Sequence, residues 1–171
     1  NFKVDLNDKS KKRIKTLISN LDRLKFYAKI TNEDFTNLKE DQKYDMVILD
    51  SPCSAVGTIR KNPEIFFKKN GPDFGKLNIL QERILNKAVS LLNKDGLIVY
   101  MVCSFLENET KDQIKKFLKK NANFEICKFK LIDDNINYSK LIQENFMITL
   151  PDSILNNNID GYFAAYLRKI K

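Results

Sequence analysis

Histidine and tryptophan are both absent from the 171 residues. Without histidine there is no Ser-His-Asp or Cys-His catalysis, no imidazole general base and no His-ligated metal. Cysteine is scarce, with three residues at 53, 103 and 127. The count is odd and the spacings do not match a zinc site, so no metal is expected, and reduced thiols in a cytoplasm fit best. Long apolar runs are missing too. No stretch approaches the ~18 apolar residues of a membrane-spanning helix. The first residues do not show the basic segment, apolar stretch and small-residue cleavage site of a secretory signal. A cytoplasmic location is the default expectation. The five glycines, at 57, 71, 75, 96 and 161, form no Gly-x-Gly cluster after a strand. A nucleotide-binding fold carries such a cluster at its first strand. Asn1-Phe2-Lys3-Val4 already reads as a strand, and the first residue is not Met. The expectation is a sequence that begins inside a domain, its N-terminal part missing.

What is present describes a globular chain. Hydrophobic residues make up 43% and charged residues 30%, a balance that buries a core. The length suits a single domain, residues 1–171. The formal net charge is +8 and the pI about 9.3, which points to an anionic partner, nucleic acid being the usual one. Richness in Lys, Asn and Ile offers a compositional explanation of the same charge.

Periodicity sets out alternating strands and helices. Phe2–Leu6 alternates as a short strand. Lys9–Leu24 carries Ile14, Leu17, Ile18, Leu21 and Leu24 on one helical stripe, with Asp8 as its N-cap. Phe26–Ile30 reads as a strand and Asp45–Leu49 as a buried one. Leu77–Leu92 is a helix, and Lys94-Asp95-Gly96 is its stop and turn. Leu97–Val102 is an all-apolar strand, the pattern of burial on both faces. Glu107–Lys120 is a helix with Ile114, Phe117 and Leu118 inward. Phe124–Leu131 alternates as a strand, with Cys127 in the core. Asp133–Asp160 reads as a polar excursion or the loop of a terminal hairpin. Gly161–Leu167 is the final strand. Such alternation predicts an α/β fold: a mostly parallel, Rossmann-like sheet of the methyltransferase kind, closed by a C-terminal antiparallel hairpin.

Three constellations carry chemistry. Asp8, Asp34 and Asp50 each follow a predicted strand. In a nucleoside-binding sheet one such acid bonds ribose hydroxyls and a later one accepts from an adenine amino group. Asp is also an ordinary turn former and helix cap. Two apolar strands end in cysteine, one through Asp50-Ser51-Pro52-Cys53 and one through Cys103-Ser104. At a strand's carboxyl end a thiolate faces the crevice where open sheets place their chemistry. Cys103 precedes a predicted helix whose positive end favours thiolate, while Glu107 and Glu109 oppose it. Finally, the long segment Ser51–Lys76 holds Arg60, Lys61, Lys68 and Lys69 close together in sequence.

Asp50-Ser51-Pro52-Cys53-Ser54, running on through Gly57 to Pro63, resembles the Asp-Ala-Pro-Cys-Ser motif of RNA cytosine-5 methyltransferases, and within them the bacterial ribosomal RNA type called RsmB, Fmu or Sun. Tyr100-Met101-Val102-Cys103-Ser104 with Glu107-Asn108-Glu109 resembles that family's Tyr-x-Thr-Cys-Ser and Glu-Glu-Asn motif. Asp160-Gly161-Tyr162-Phe163 resembles its closing Asp-Gly-Phe-Phe, and Asp8–Leu24 the helix after its second strand. The resemblance implies S-adenosylmethionine as cofactor and RNA, most simply ribosomal RNA, as substrate. It implies that Cys103 attacks C6 of the target cytosine, Asp50 holds the base edge and Cys53 assists product release. Asp8 would bind the cofactor ribose, in preference to Asp5, and Asp34 its adenine amine. A base treated in this way leaves its stack, with Arg60 and Lys61 as phosphate contacts. Val102 stands where the family commonly has Thr, the segment after Cys103 is shorter and lacks a Pro, and no Gly-rich cofactor loop is matched. The chain alone is therefore expected to bind S-adenosylmethionine weakly or not at all. Three other readings differ in what they ask of the thiols. A DNA cytosine-5 methyltransferase would use Cys53, an amino-methyltransferase would need no cysteine, and a non-catalytic RNA-binding module would use neither.

Overall fold

A computed structural model describes residues 2–39, 41–67, 71–129, 141–150 and 159–170. The chain falls into two compact units, Asn1–Gln42 and Lys43–Lys171.

The first unit is a strand, a helix and a strand. β1 (Asp5–Asn7) and β2 (Lys29–Thr31) pair in parallel, with Asn7 opposite Thr31. Between them runs α1 (Lys11–Leu24). Its N-cap is Ser10, whose side chain accepts from the Arg13 N–H, and not Asp8 as its sequence position suggests. The reason is local: an Asp8 carboxylate oxygen accepts the Ser10 N–H at 2.7 Å, so the chain turns once more before the helix begins. The helix ends without glycine. Lys25 takes φ 56°, its N–H donates to the Asp22 carbonyl and the Phe26 N–H to that of Leu21, a Schellman closure. Ile14, Leu17 and Leu21 are half-buried, while Ile18 and Leu24 of the same stripe are exposed.

The second unit is a six-stranded sheet with two helices. β3 (Tyr44–Asp50) pairs in parallel with β4 (Leu92–Val102), and α2 (Phe74–Leu91) connects them. α2 starts three residues earlier than its apolar periodicity, because Asp73 caps it by accepting the Lys76 N–H at 3.0 Å. The predicted turn at Lys94-Asp95-Gly96 is an irregularity inside β4. The register jumps from Tyr44 opposite Leu92 to Met46 opposite Leu97, and Asp95, not the glycine, takes the positive φ.

From β4 onward every pairing is antiparallel. β8 (Tyr162–Lys169) lies along β4, and its far edge is shared by β5 (Phe124–Ile126) and β7 (Phe146–Thr149). β6 (Ile142–Gln143) and β7 form a hairpin through Glu144 and Asn145, both at positive φ, the geometry of a type I′ turn. The antiparallel ending is thus broader than one hairpin, with β8 as its hub. β5 is shorter than the predicted Phe124–Leu131; Cys127 falls just past it, half-buried, its N–H donating to the Tyr166 carbonyl at 2.8 Å.

The core lies where α2, α3 (Lys111–Lys120) and the sheet meet. Leu85, Ile98, Tyr100, Ile114, Phe163 and Leu167 are fully buried there. β4 is covered on both faces as its composition predicts. β3 is not: Val47 and Leu49 are buried, but Met46 is 50% and Ile48 61% exposed. Among the described strands β3 ends the six-stranded sheet. Among the described residues no helix is long and apolar enough to cross a membrane.

Candidate active site at two adjoining strand ends

Register brings the two cysteines together. Asp50 pairs with Met101 across β3 and β4, and the Ser51 N–H donates to the Met101 carbonyl at 2.9 Å. Parallel strands in this register end level. The thiols, fifty residues apart in sequence, therefore meet with Cys53 Sγ 3.3 Å from Cys103 Sγ. Asp50 is exposed at the same strand end. Cys127 takes no part.

The pair is electrically unequal. The hydrogen bond from the Cys53 thiol pulls Cys103 down from 9.0 to about 7, against burial and the negative charges of Asp50 and Glu109. Donating that bond pushes the Cys53 thiol up, and burial adds to the shift. The bond thus favours thiolate, the nucleophilic form, on Cys103 and the proton on Cys53. The helix expected from sequence to open at Glu107 begins later. Glu107–Glu109 is a 3-10 turn, the chain breaks at Thr110 (φ −118°, ψ −105°), and α3 begins only at Lys111. The break is stabilised by Thr110 Oγ1, which donates to the Leu106 carbonyl at 2.8 Å.

Glu109 does not oppose the thiolate from a helix end; it points inward and is fully buried. One carboxylate oxygen, Oε1, accepts from the Ser54 N–H at 2.8 Å and from Gln81 Nε2 at 3.2 Å. The other, Oε2, accepts from the Ser54 hydroxyl at 2.5 Å and the Ser104 hydroxyl at 2.6 Å. Ser54 and Ser104 are the residues directly after the two cysteines. Gln81 Nε2 also donates to the Pro52 carbonyl at 2.9 Å, and the Tyr100 hydroxyl donates to the Glu109 carbonyl at 2.8 Å. Composition gives a partial signal for this network: Gln81 is a polar residue inside the inward stripe of α2. The motif Glu107-Asn108-Glu109 marks Glu109 in the sequence but not its inward direction, which depends on the interruption between the 3-10 turn and α3.

A second clasp is made of backbone. The Gly57 N–H donates to the Cys103 carbonyl at 3.0 Å, and the Gly57 carbonyl accepts the Gly161 N–H at 2.7 Å. Beside it Ala55 takes φ 60°, an unusual conformation for a residue with a Cβ. Asp160 then draws in the basic loop. Its carboxylate lies 2.6 Å from Lys61 Nζ and 3.4 Å from Arg60, and chiefly the hydrogen bond from Lys61 holds its pKa below the usual carboxylate value. The two cations proposed to meet phosphate are therefore paired with one buried acid, although Lys61 remains 62% and Arg60 38% exposed. Lys68 and Lys69 lie outside the described residues.

In the first unit, Asp8 and Asp34 follow β1 and β2 and so share the carboxyl end of that parallel pair. Arg13 binds Asp8 with Nε at 2.6 Å and Nη2 at 2.9 Å, and this hydrogen bonding lowers the carboxyl pKa. Asp34 caps the 3-10 turn Phe35–Asn37, accepting on Oδ1 from the Thr36 hydroxyl at 2.7 Å and N–H at 3.0 Å, which lowers its pKa. Both acids are ionised acceptors at strand ends, a donor-poor chemistry that suits a ribose diol or an exocyclic amine. Among the described residues no group of three or more His, Cys, Asp or Glu could hold a metal ion.

A Rossmann-like sheet of this topology is that of the methyltransferases. PH0851 superposes on 98% of the chain with a TM-score of 0.83 and 27% identity, over 37% of its own length. NSun6 from Pyrococcus horikoshii, solved with SFG, superposes on 99% with a TM-score of 0.80 and 22% identity, over 42% of its length. The family model described as 16S rRNA methyltransferase RsmB/F matches residues 2–168, and the chain belongs to that family. Ribosomal RNA small subunit methyltransferase B of Shewanella oneidensis is 32% identical over 161 residues, which is 92% of this chain and 35% of the relative. The Photorhabdus laumondii protein of the same name is 36% identical over 127 residues, 72% of this chain and 29% of the relative. The chain thus spans about a third of the length of these relatives.

Proposed function

We propose that this chain is the catalytic portion of an enzyme that methylates C5 of a cytosine in RNA, 16S ribosomal RNA being the substrate its relatives name, in the cytoplasm. Both units then belong to one catalytic domain. The observation that carries the reading is the 3.3 Å contact between Cys103 and Cys53, in which Cys103 is the thiol whose pKa is lowered.

The chemistry follows from that asymmetry. The Cys103 thiolate adds to C6 of the base, forming the S–C6 bond, and electron density moves toward C5. Asp50, an acceptor at the same strand end, takes the hydrogen bond of the exocyclic amine and holds the base edge. S-adenosylmethionine, when bound, supplies the methyl group; Asp8 would hold its ribose and Asp34 its adenine amine. Once Cys103 is bonded to carbon it no longer accepts from Cys53, and the strongest cause of the raised Cys53 pKa is gone. Cys53 then gives up its proton to solvent and, as thiolate, takes the C5 proton, while the electrons of the C5–H bond restore the ring double bond and expel Cys103 as thiolate. Arg60 and Lys61 contact RNA phosphate after exchange with Asp160, a salt-sensitive step.

A DNA-type mechanism with Cys53 as nucleophile is disfavoured because the bond between the thiols leaves Cys53 protonated. An RNA-binding module without catalysis is separated by experiment. The protein, extended to the length of its relatives, is incubated with 5-fluorocytosine-substituted RNA and S-adenosylmethionine, and covalent RNA is read on a denaturing gel. The expected adduct is lost in Cys103→Ala and retained in Cys53→Ala. Loss only in Cys53→Ala supports the DNA-type mechanism, and RNA retention without any adduct supports the binding module.

A further inference from the structure

We propose that Glu109 is a positioning residue for the cysteine pair: a buried carboxylate that clasps the two thiol-bearing loops together and whose charge keeps the second proton on the pair. The inference deepens the reading of the site as one that uses Cys103 as nucleophile and rests on it.

The geometry argues for the clasp. Oε2 alone accepts from hydroxyls on both loops, Ser54 after Cys53 and Ser104 after Cys103. Oε1 takes the Ser54 N–H and joins both loops to α2 through Gln81, which in turn grips the Pro52 carbonyl. Four donors on one carboxylate leave neither loop free to move relative to the other. All four donors are neutral, and no cation pairs with Glu109 among the described residues. Its charge is therefore felt by what surrounds it. The titratable groups facing it are Cys53 from the loop after β3, and Tyr100 and Cys103 from β4 and its end; Asp50 adds a second negative charge at Cys103. α2 contributes only the neutral Gln81. A negative charge in this position disfavours thiolate on either cysteine, so it raises the midpoint of Cys103 and, once Cys103 is ionised, keeps the remaining proton on the pair.

Two readouts separate the parts of the proposal. Glu109→Gln preserves shape, because its amide NH2 can donate to the two hydroxyls while its oxygen still accepts from Ser54 and Gln81. Iodoacetamide alkylation of Cys103, followed by mass mapping against pH, is expected to show a midpoint lower in Glu109→Gln by about one pH unit, a tenfold change in thiolate below the midpoint. An unmoved midpoint overturns the electrostatic role. Diamide, which is reduced to the hydrazine as two thiols are oxidised to a disulfide, reports how closely the sulfurs approach. Measured well above the Cys103 midpoint, where Cys103 is thiolate in every variant, closure of Cys53 to Cys103 is expected to be as fast in Glu109→Gln as in wild type and at least tenfold slower in Glu109→Ala. Equal rates in Glu109→Ala overturn the clasp. Should Glu109→Ala fail to fold, Ser104→Ala takes its place: slower closure supports the clasp and an unchanged rate overturns it. Neither readout uses RNA, so a missing RNA adduct would count against the proposed reaction and not against this role.

Discussion

Gly57 and Gly161 meet backbone to backbone. A Cβ placed on Gly57 would lie 1.9 Å from the Gly161 carbonyl oxygen, and one on Gly161 would lie 2.8 Å from the Phe105 ring. Neither glycine has a positive φ, so what each position requires is the absence of a side chain. This contact ties the loop after Cys53 and the start of β8 to the Cys103 carbonyl. Gly57→Ala must push backbone against backbone, with no flexible side chain to yield. The expected cost is about 2–4 kcal/mol in urea denaturation, together with loss of the covalent RNA adduct. A variant as stable as wild type would show that the contact is slack.

The thiol pair has a pH signature. Alkylation of Cys103 should rise with pH around a midpoint of about 7, because the thiolate is the reactive form and Cys53 stabilises it by a hydrogen bond. In Cys53→Ala that bond is lost and the midpoint should climb toward the ordinary 9.0. A midpoint that stays put in Cys53→Ala would mean that the backbone N–H, not the second thiol, stabilises the charge.

Asp160 gives a pH-dependent contribution to stability. Lys61 and Arg60 lower its carboxyl pKa in the fold, so the pair stabilises the folded state above the normal carboxyl value of 3.8 and the contribution is lost as pH falls through the lowered pKa. Asp160→Asn should therefore unfold at lower urea than wild type near neutral pH, with the difference closing as pH falls below 3.8 and through the lowered pKa. The same substitution frees Arg60 and Lys61. Binding of a short single-stranded RNA should tighten and become steeper in salt; weaker binding would place Asp160 in RNA recognition itself.

Gln81 is fully buried and donates twice, to Pro52 and Glu109. Gln81→Leu fills the same space but leaves two acceptors short of a donor. A loss of about 1–3 kcal/mol is expected by chemical denaturation, larger than its volume change would cause. A neutral result would mean that water replaces the amide.

Much of this site could be read along the chain. Apolar strands Val47–Leu49 and Leu97–Val102, each followed by a cysteine, announce a parallel pair with its chemistry at the carboxyl ends, and local composition is enough because burial on a sheet is a local requirement. Which thiol is charged was not legible. Sequence pointed to a helix N-terminus beside Cys103, and the helix begins at Lys111 instead. The α1 cap shifted to Ser10 for the same kind of reason: one side-chain hydrogen bond from Asp8 outweighs a pattern that is correct to within a turn. The exposure of Met46 and Ile48 on β3 was also invisible, because an apolar run does not say which of its faces is covered.

The amino-acid sequence by itself determined the order of elements, the two cysteine-bearing strand ends, the acids after β1 and β2, and the family to which these motifs belong. Only the tertiary structure decided that the two thiols lie 3.3 Å apart, that Glu109 joins both thiol loops, and that Arg60 and Lys61 pair with Asp160. The reason is physical. Strand and helix formation depend on residues a few positions apart, whereas the charge on a thiol and the partners of a buried carboxylate depend on which groups, fifty residues away in the chain, come within hydrogen-bonding distance.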